Sequence, residues 1–266
     1  MPPIRSPEAR RPHTRRMNVF AFIPARYSST RFPGKPLAVI AGEPMIRHAY
    51  LCAKACPDIT EVYVATDDER ILQCVRGFGG KAVLTGEAHP CGTDRVAEAA
   101  RHLGLDGDPV VVNIQGDQPL FQPALISQMV APLIGDPELA MSTLKCRISD
   151  PREVENPNCV KVVTDARDHA LYFSRSPIPY FRDAPAPGVY YKHLGFYAYR
   201  LDFLNTFAGL PVGRLEAAEK LEQLRALENG YRIMVVETLF DSVEVDTPAD
   251  IRRVEAILLR LAAANP

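Results

Sequence analysis

The chain has 266 residues, 47% of them hydrophobic and 24% charged, with 31 Lys and Arg against 32 Asp and Glu. This balance excludes the broad basic surface of a nucleic-acid-binding protein, so we expect no nucleic-acid partner. The apolar runs fall far short of the roughly 20 residues that span a bilayer, and no apolar signal-peptide core stands near the start. We therefore expect a cytoplasmic location and no membrane partner. Since the six cysteines form no Cys-x-x-Cys pair, we also expect reduced thiols.

The first sixteen residues differ in composition from the rest of the chain. Residues 1–16 contain five arginines and no apolar periodicity, so they bury too little surface to fold. We predict a disordered tail over 1–16 and a single domain over 17–266. Met17 directly precedes the first strand-like run. A translation start at Met17 is a hypothesis that the N-terminal mass of the native protein tests.

Short apolar runs then alternate with amphipathic stretches. Residues 19–23, 61–65 and 110–114 are almost entirely apolar, which is typical of strands buried on both faces of a parallel sheet. Residues 68–78 and 93–103 each place their apolar side chains on one helical stripe. This order predicts an α/β fold with a mostly parallel, doubly wound sheet.

The pattern changes after residue 136. Four extended segments separated by proline-rich connections follow, at residues 139–147, 159–164, 170–174 and 193–200. We predict a smaller mixed α/β lobe at about residues 139–212. A helix over 215–228, a strand over 233–237 and a last helix that opens at Thr247 and Pro248 complete the predicted elements.

The first strand is followed by a basic loop, residues 24–37. It combines Arg26, Arg31 and Lys35 with small hydroxyl residues and a glycine. At the carboxyl end of a parallel strand, such a loop can surround a polyphosphate with guanidinium, ammonium and backbone N–H groups. A solvated basic loop is the alternative interpretation.

Two carboxylates also follow strand-like runs. Asp117 comes directly after a glycine at the end of the third apolar run, where an aspartate is also a common turn former. Near the C-terminus, a capping arrangement explains Thr247, Pro248 and Asp250 but leaves Asp246 unexplained. We hypothesise that Asp117 and Asp246 hold Mg²⁺ against phosphate oxygens.

The second half of the chain carries further polar positions. The period of two in a strand places His193, Tyr197 and Tyr199 on one face. In the predicted helix over 215–228, Glu219, Glu222 and Gln223 share a face. A solvated face is the ordinary interpretation of that helical group.

Eight short sequence blocks occur together and in a fixed order along the chain. They are residues 24–37, 65–67, 92–95, 112–117, 172–175, 193–195, 221–225 and 245–248. With them the chain resembles the 3-deoxy-manno-octulosonate (Kdo) cytidylyltransferases, or CMP-Kdo synthetases, from about residue 19 to the end. The resemblance implies a Rossmann-like nucleotidyltransferase with a smaller dimerisation lobe, active as a homodimer.

The resemblance also implies a reaction, in which CTP and Kdo give CMP-Kdo and pyrophosphate for lipopolysaccharide biosynthesis. It implies catalytic roles for four residues: Arg26, Lys35, Asp117 and Asp246. Position by position, it implies triphosphate contacts from Arg26, Arg31 and Lys35, nucleotide contacts from Arg95 and Gln115, Mg²⁺ ligands at Asp117 and Asp246, and sugar contacts from Arg175, His193, Tyr197, Glu222 and Gln223. Related sequences commonly have glutamate where this chain has Gln118, which leaves fine substrate choice open.

Two alternatives remain at this point. The first is that the chain is a cytidylyltransferase for another acidic sugar, such as an amino-Kdo analogue or a sialic acid. The second is that it is a regulatory protein that binds a nucleotide without turnover. A two-carboxylate metal site argues against this second alternative, because a protein that only binds the nucleotide has less need of one.

Overall fold

The computed structural model describes residues 17–28, 32–183 and 188–264, so the predicted tail at 1–16 lies outside the described residues. The strands are β1 (Val19–Ala25), β2 (Val39–Ile40), β3 (Glu43–Pro44), β4 (Glu61–Thr66), β5 (Ala82–Leu84), β6 (Val110–Asn113), β7 (Met141–Arg147), β8 (Lys161–Thr164), β9 (Ala170–Ser174), β10 (Tyr191–Arg200) and β11 (Met234–Thr238). The helices are α1 (Met45–Lys54), α2 (Glu69–Gly77), α3 (Gly92–His102), α4 (Ala124–Gly135), α5 (Arg152–Glu155), α6 (Leu201–Gly209), α7 (Arg214–Glu219), α8 (Leu224–Glu228) and α9 (Pro248–Ala264).

Within the described residues, nine strands form one sheet, whose main path runs β11-β7-β10-β6-β1-β4-β5. Strand β1 lies in its interior and pairs in parallel with β4 and β6. Its apolar side chains, such as Phe22 and Ile23, are fully buried, as the continuous apolar run predicts. The α/β fold with a mostly parallel central sheet is confirmed. Because β1 and β6 are parallel, the loops that follow them emerge at the same edge of the sheet.

Residues 139–212 contribute strands to this same sheet. Strand β7 lies between β11 and β10, and β10 pairs antiparallel with both β6 and β7. The β8–β9 hairpin extends from β10 through the pair Lys192 and Lys161. The long strand β10 therefore links the parallel strands of the first half of the chain to the other strands of the region predicted as a smaller lobe.

The prediction of one helix over residues 215–228 is wrong. The structure forms two short helices, α7 and α8, separated by Lys220 in the left-handed conformation with φ of 55°. Nε of Arg175, the residue after β9, donates a 2.7 Å hydrogen bond to the carbonyl oxygen of Glu219. This bond satisfies a carbonyl group that the end of α7 leaves without a helical partner. Residues 220–223 thereby become a connection instead of a helical face.

Phe196 tests how far the packing of β10 supports the fold. Its side chain is fully buried and its ring meets that of Phe121 edge-on, with centroids 5.1 Å apart. We expect Phe196→Ala to lower the free energy of unfolding by about 3–5 kcal/mol, because it leaves a cavity beneath the strand. Chemical denaturation measures this loss. The control Leu259→Ala removes an apolar side chain that is 70% exposed and should change stability by less than about 0.5 kcal/mol; equal effects would contradict the packing argument.

Candidate active site

In the described part of the chain, a cavity of about 910 Å³ opens at the edge of the sheet where β6 ends. A second cavity of about 250 Å³ lies beside it, against the end of β1. Four residues line both cavities and form the boundary between them: Pro90, Cys91, Gln115 and Asp117. Ligand sites in α/β sheets lie at this position, beyond the carboxyl ends of the strands.

Asp117 and Asp246, which are 129 residues apart in sequence, meet at this boundary. The backbone N–H of Val245 donates to the carbonyl oxygen of Asp117 at 2.9 Å, and Val243 pairs with Leu120 in an isolated bridge. These backbone contacts lay the C-terminal segment along the loop after β6. The structure thus brings together the two carboxylates that the sequence singled out.

Lys35 enters the same group from the loop after β1. Its ammonium donates to Oδ2 of Asp117 at 2.8 Å and to the carbonyl oxygen of Val245 at 2.9 Å. The distance from Nζ to Oδ1 of Asp246 is 3.9 Å. The ammonium of Lys35 therefore lies next to both Asp117 and Asp246. It joins three segments of the chain: the loop after β1, the loop after β6 and the segment before α9.

Glu244 is a member of this group that the sequence interpretation missed. Asp117, Glu244 and Asp246 each place a carboxylate oxygen so that all three atoms lie within 4.8 Å of one another. The period of two in an extended run puts Glu244 and Asp246 on the same side, and this signal was present in the sequence. A set made only of carboxylate oxygens suits a hard divalent cation such as Mg²⁺, so these residues fit the expected metal.

The basic loop presents cations to the smaller cavity. Arg26 is exposed, and it lines that cavity together with Lys35. Gly34 has φ of 70°, and an added Cβ would approach the ring of Tyr27 to 3.0 Å, so a residue without a side chain is required there. The third cation of the predicted triphosphate contact, Arg31, lies outside the described residues.

The two residues expected to place the nucleotide are both tied to protein groups. The buried guanidinium of Arg95 donates to Oδ2 of Asp67 at 2.8 Å and to Oγ1 of Thr85 at 2.6 Å. Nε2 of Gln115 donates to the carbonyl oxygen of Gly195 at 3.2 Å. Both line the smaller cavity. Arg95 therefore shapes its wall, and Gln115 links the loop after β6 to strand β10.

Three predicted sugar contacts form a polar patch in the larger cavity. The phenol of Tyr197 donates to Oε1 of Gln223 at 2.9 Å, and both residues are buried. Nε2 of His193 lies 2.8 Å from Oγ1 of Thr143. Burial lowers the pKa of His193 to about 3, so the imidazole is neutral and acts there as a hydrogen-bonding group.

Glu222 corrects the interpretation of a solvated helical face. It lies in the connection between α7 and α8, where its Oε1 accepts a 2.7 Å hydrogen bond from Thr93. Burial raises the pKa of this carboxyl group above its ordinary value. The break after α7 turns Glu222 and Gln223 into the larger cavity, which helical periodicity did not indicate.

Arg175 also lines the larger cavity, but its guanidinium group donates its hydrogen bonds to backbone carbonyl oxygens. Besides the carbonyl oxygen of Glu219, its guanidinium contacts that of Pro157 at 2.8 Å. The structure therefore gives Arg175 a part in holding the turn after α7. Its contact with the sugar carboxylate stays a prediction.

Comparisons with known proteins identify relatives of this chain. A family profile described as cytidylyltransferase matches residues 20–233. The 3-deoxy-manno-octulosonate cytidylyltransferase of Desulfatibacillum aliphaticivorans is 57% identical over 91% of this chain and 99% of its own length. The 8-amino-3,8-dideoxy-manno-octulosonate cytidylyltransferase of Shewanella halifaxensis is 55% identical over 91% and 99%.

A solved structure is similar over the same range. It is that of a CMP:2-keto-3-deoxy-manno-octonic acid synthetase complexed with CTP, with a TM-score of 0.85, 43% identity, and coverage of 91% of this chain and 99% of the other. The chain therefore belongs to the cytidylyltransferase family and is a nucleotidyltransferase. Within that family, the resemblance to the 3-deoxy-manno-octulosonate cytidylyltransferases is confirmed.

The neutral state of His193 is open to a direct test. We expect its ring signals in nuclear magnetic resonance spectra to stay those of neutral imidazole from pH 8 to pH 5, because the buried site disfavours the charge. Relative to His193→Gln, the free energy of unfolding of the unchanged protein should fall as pH drops below about 6.5, the ordinary histidine value, towards 3. The ring signals that are missing from the spectrum of His193→Gln belong to His193. A ring that titrates between pH 6 and 7 would contradict the burial argument.

Proposed function

We propose that this protein transfers CMP from CTP to the anomeric hydroxyl of Kdo and releases pyrophosphate. The observation that carries the proposal is the group of Lys35, Asp117 and Asp246 at the boundary of the two cavities. A nucleotide in the smaller cavity and a sugar acid in the larger one would meet at this boundary. The names of the relatives and the CTP complex of the similar structure support the same reaction.

The reaction asks the protein mainly for alignment and charge neutralisation. Attack of the anomeric hydroxyl on the α-phosphorus requires the two reactants to lie in line. Arg26 and Lys35 would bind the triphosphate from the basic loop, and Asp117, Glu244 and Asp246 would hold Mg²⁺. That ion would neutralise phosphate charge and acidify the attacking hydroxyl, so no dedicated side-chain base is needed.

Charge complementarity supports this metal proposal. Asp117, Glu244 and Asp246 place three carboxylate oxygens within 4.8 Å of one another, and this concentration of negative charge suits a divalent ion. On the sugar side, neutral His193 and the Tyr197–Gln223 pair offer donors and acceptors to hydroxyl groups. Such a polar wall orients a polyol without adding charge next to the reacting phosphorus.

An amino-Kdo substrate is the second candidate. Relatives with both names match this chain at 55% identity, so overall similarity does not rank the two sugars. We expect pyrophosphate release when the protein is mixed with CTP, Mg²⁺ and Kdo, and slower release with the 8-amino analogue or a sialic acid. A coupled pyrophosphate assay measures the three rates side by side. Faster turnover of either competitor would overturn the choice of Kdo, and no release with any sugar acid would support the regulatory alternative.

Asp117→Ala tests the metal proposal. We expect kcat to fall at least about 100-fold, because several kcal/mol of charge stabilisation are lost. CTP should still bind weakly through the cations of the basic loop, which isothermal titration measures. Asp150→Ala is the control, since Asp150 pairs with Arg152 at the surface. Unchanged turnover in Asp117→Ala would refute the assignment.

We also propose, from the family resemblance, a cytoplasmic homodimer that supplies activated sugar for lipopolysaccharide. Large exposed apolar side chains support a subunit contact by the region of residues 139–212, among them Leu171, Tyr180 and Val189. No helix in the described residues is long and apolar enough to cross a bilayer.

A further inference from the structure

Lys192 joins two segments that are far apart in sequence. It lies on β10 directly before His193, and its side chain is 12% exposed. The ammonium contacts both carboxylate oxygens of Glu153, at 3.0 and 2.9 Å, and Oδ2 of Asp241 at 2.7 Å. All three residues line the larger cavity. None of them was singled out from the sequence.

Asp241 belongs to the segment that carries the carboxylates of the site. Residues 239–247 connect β11 to α9, and they include Glu244 and Asp246. The second half of this segment is fixed by the backbone pairs of Val243 with Leu120 and of Val245 with Asp117. Lys192 fixes the first half through Asp241, which ties the segment to the strand that carries His193 and Tyr197.

The charge of Lys192 suits this role. Burial by itself lowers the pKa of Lys192, but the hydrogen bonds with Asp241 and Glu153 raise it by more, so the net shift is upward and the ammonium stays charged. Asp241 is 51% exposed, and an ion pair with so exposed a partner contributes little to global stability. A local effect on where the segment lies is therefore the larger consequence of the contact.

We propose that Lys192 is a positioning residue, which acts through Asp241 to hold the segment of Glu244 and Asp246 in register with Asp117. The inference rests on the proposed function, in that these carboxylates hold a divalent ion beside CTP. Residues that position metal ligands without touching the metal typically lower metal affinity 10- to 100-fold when they are replaced. Lys192 thus couples the sugar-binding strand to the metal-binding segment.

The experiment measures Mn²⁺ binding in the presence of CTP by electron paramagnetic resonance, together with the Mg²⁺ dependence of turnover. We expect Lys192→Met and Asp241→Asn each to weaken Mn²⁺ binding about tenfold and to raise the Mg²⁺ concentration needed for half-maximal rate. The rate at saturating Mg²⁺ should fall much less. The double variant should be no weaker than either single one, because both changes break the same contact.

Three further variants separate positioning from folding. Glu153→Gln should leave Mn²⁺ binding within about threefold of the unchanged protein, since Glu153 lies on α5 and not on the metal-binding segment. Lys192→Arg should restore most of the affinity by keeping the charge. Lys145→Met is the matched control, because Lys145 is a buried lysine on the neighbouring strand β7 that pairs with Asp168.

The outcomes are distinguishable. Unchanged Mn²⁺ affinity in Lys192→Met and Asp241→Asn would overturn the proposal, as would an equal loss in Lys145→Met, or in Glu153→Gln. If Lys192→Met fails to fold, Asp241→Asn decides, since it alters one exposed carboxylate. Turnover of the unchanged protein with CTP, Mg²⁺ and Kdo is measured first, so a failure of the proposed function shows before any variant is made.

Discussion

The contact of Lys35 with Asp117 and Val245 is the constraint on which the rest of the site depends. It joins the loop after β1, the loop after β6 and the segment before α9 at one point. The parallel pairing of β1 and β6 delivers the first two loops to one edge of the sheet. The third is laid alongside by backbone hydrogen bonds. Because the ammonium of Lys35 in the first segment donates to groups in the other two, a shift of any one segment disturbs the others.

The two cavities differ in the chemistry of their walls. The smaller one presents Arg26 and Lys35, whose charge suits a polyphosphate. The larger one presents a neutral imidazole, a phenol and an amide in mutual hydrogen bonds or contacts, with the carboxyl group of Glu222 nearby. Buried polar groups that already have partners hold their positions without solvent. A nucleotide and a polyol thus meet different surfaces on either side of the carboxylate group.

Strand β10 is the element that couples these parts. It pairs with β6 in the nucleotidyltransferase half and with β7 and β8 on its other side. His193, Tyr197 and Lys192 all project from it, and Gln115 donates to Gly195 within it. The register shifts between His193 and Tyr197, where Gly195 has φ of 73°. This bulge brings the strand backbone close to the loop after β6, which aligns the polar side chains with the cavity.

The sequence by itself determined the alternation of strands and helices, the basic loop, and Asp117 and Asp246 as candidate carboxylates at the ends of strand-like runs. These follow from local period, from strand ends and from residue type, which need no knowledge of distant contacts. Tertiary structure alone decided the meeting of Asp117 with Asp246, the break after α7 that turns Glu222 inward, and the partners of Arg175 and Lys192. A helical stripe continues through residues 215–228, but hydrogen bonds from Arg175 end α7 early. Contacts between residues far apart in sequence carry no local periodic signal, so only the folded chain selects them.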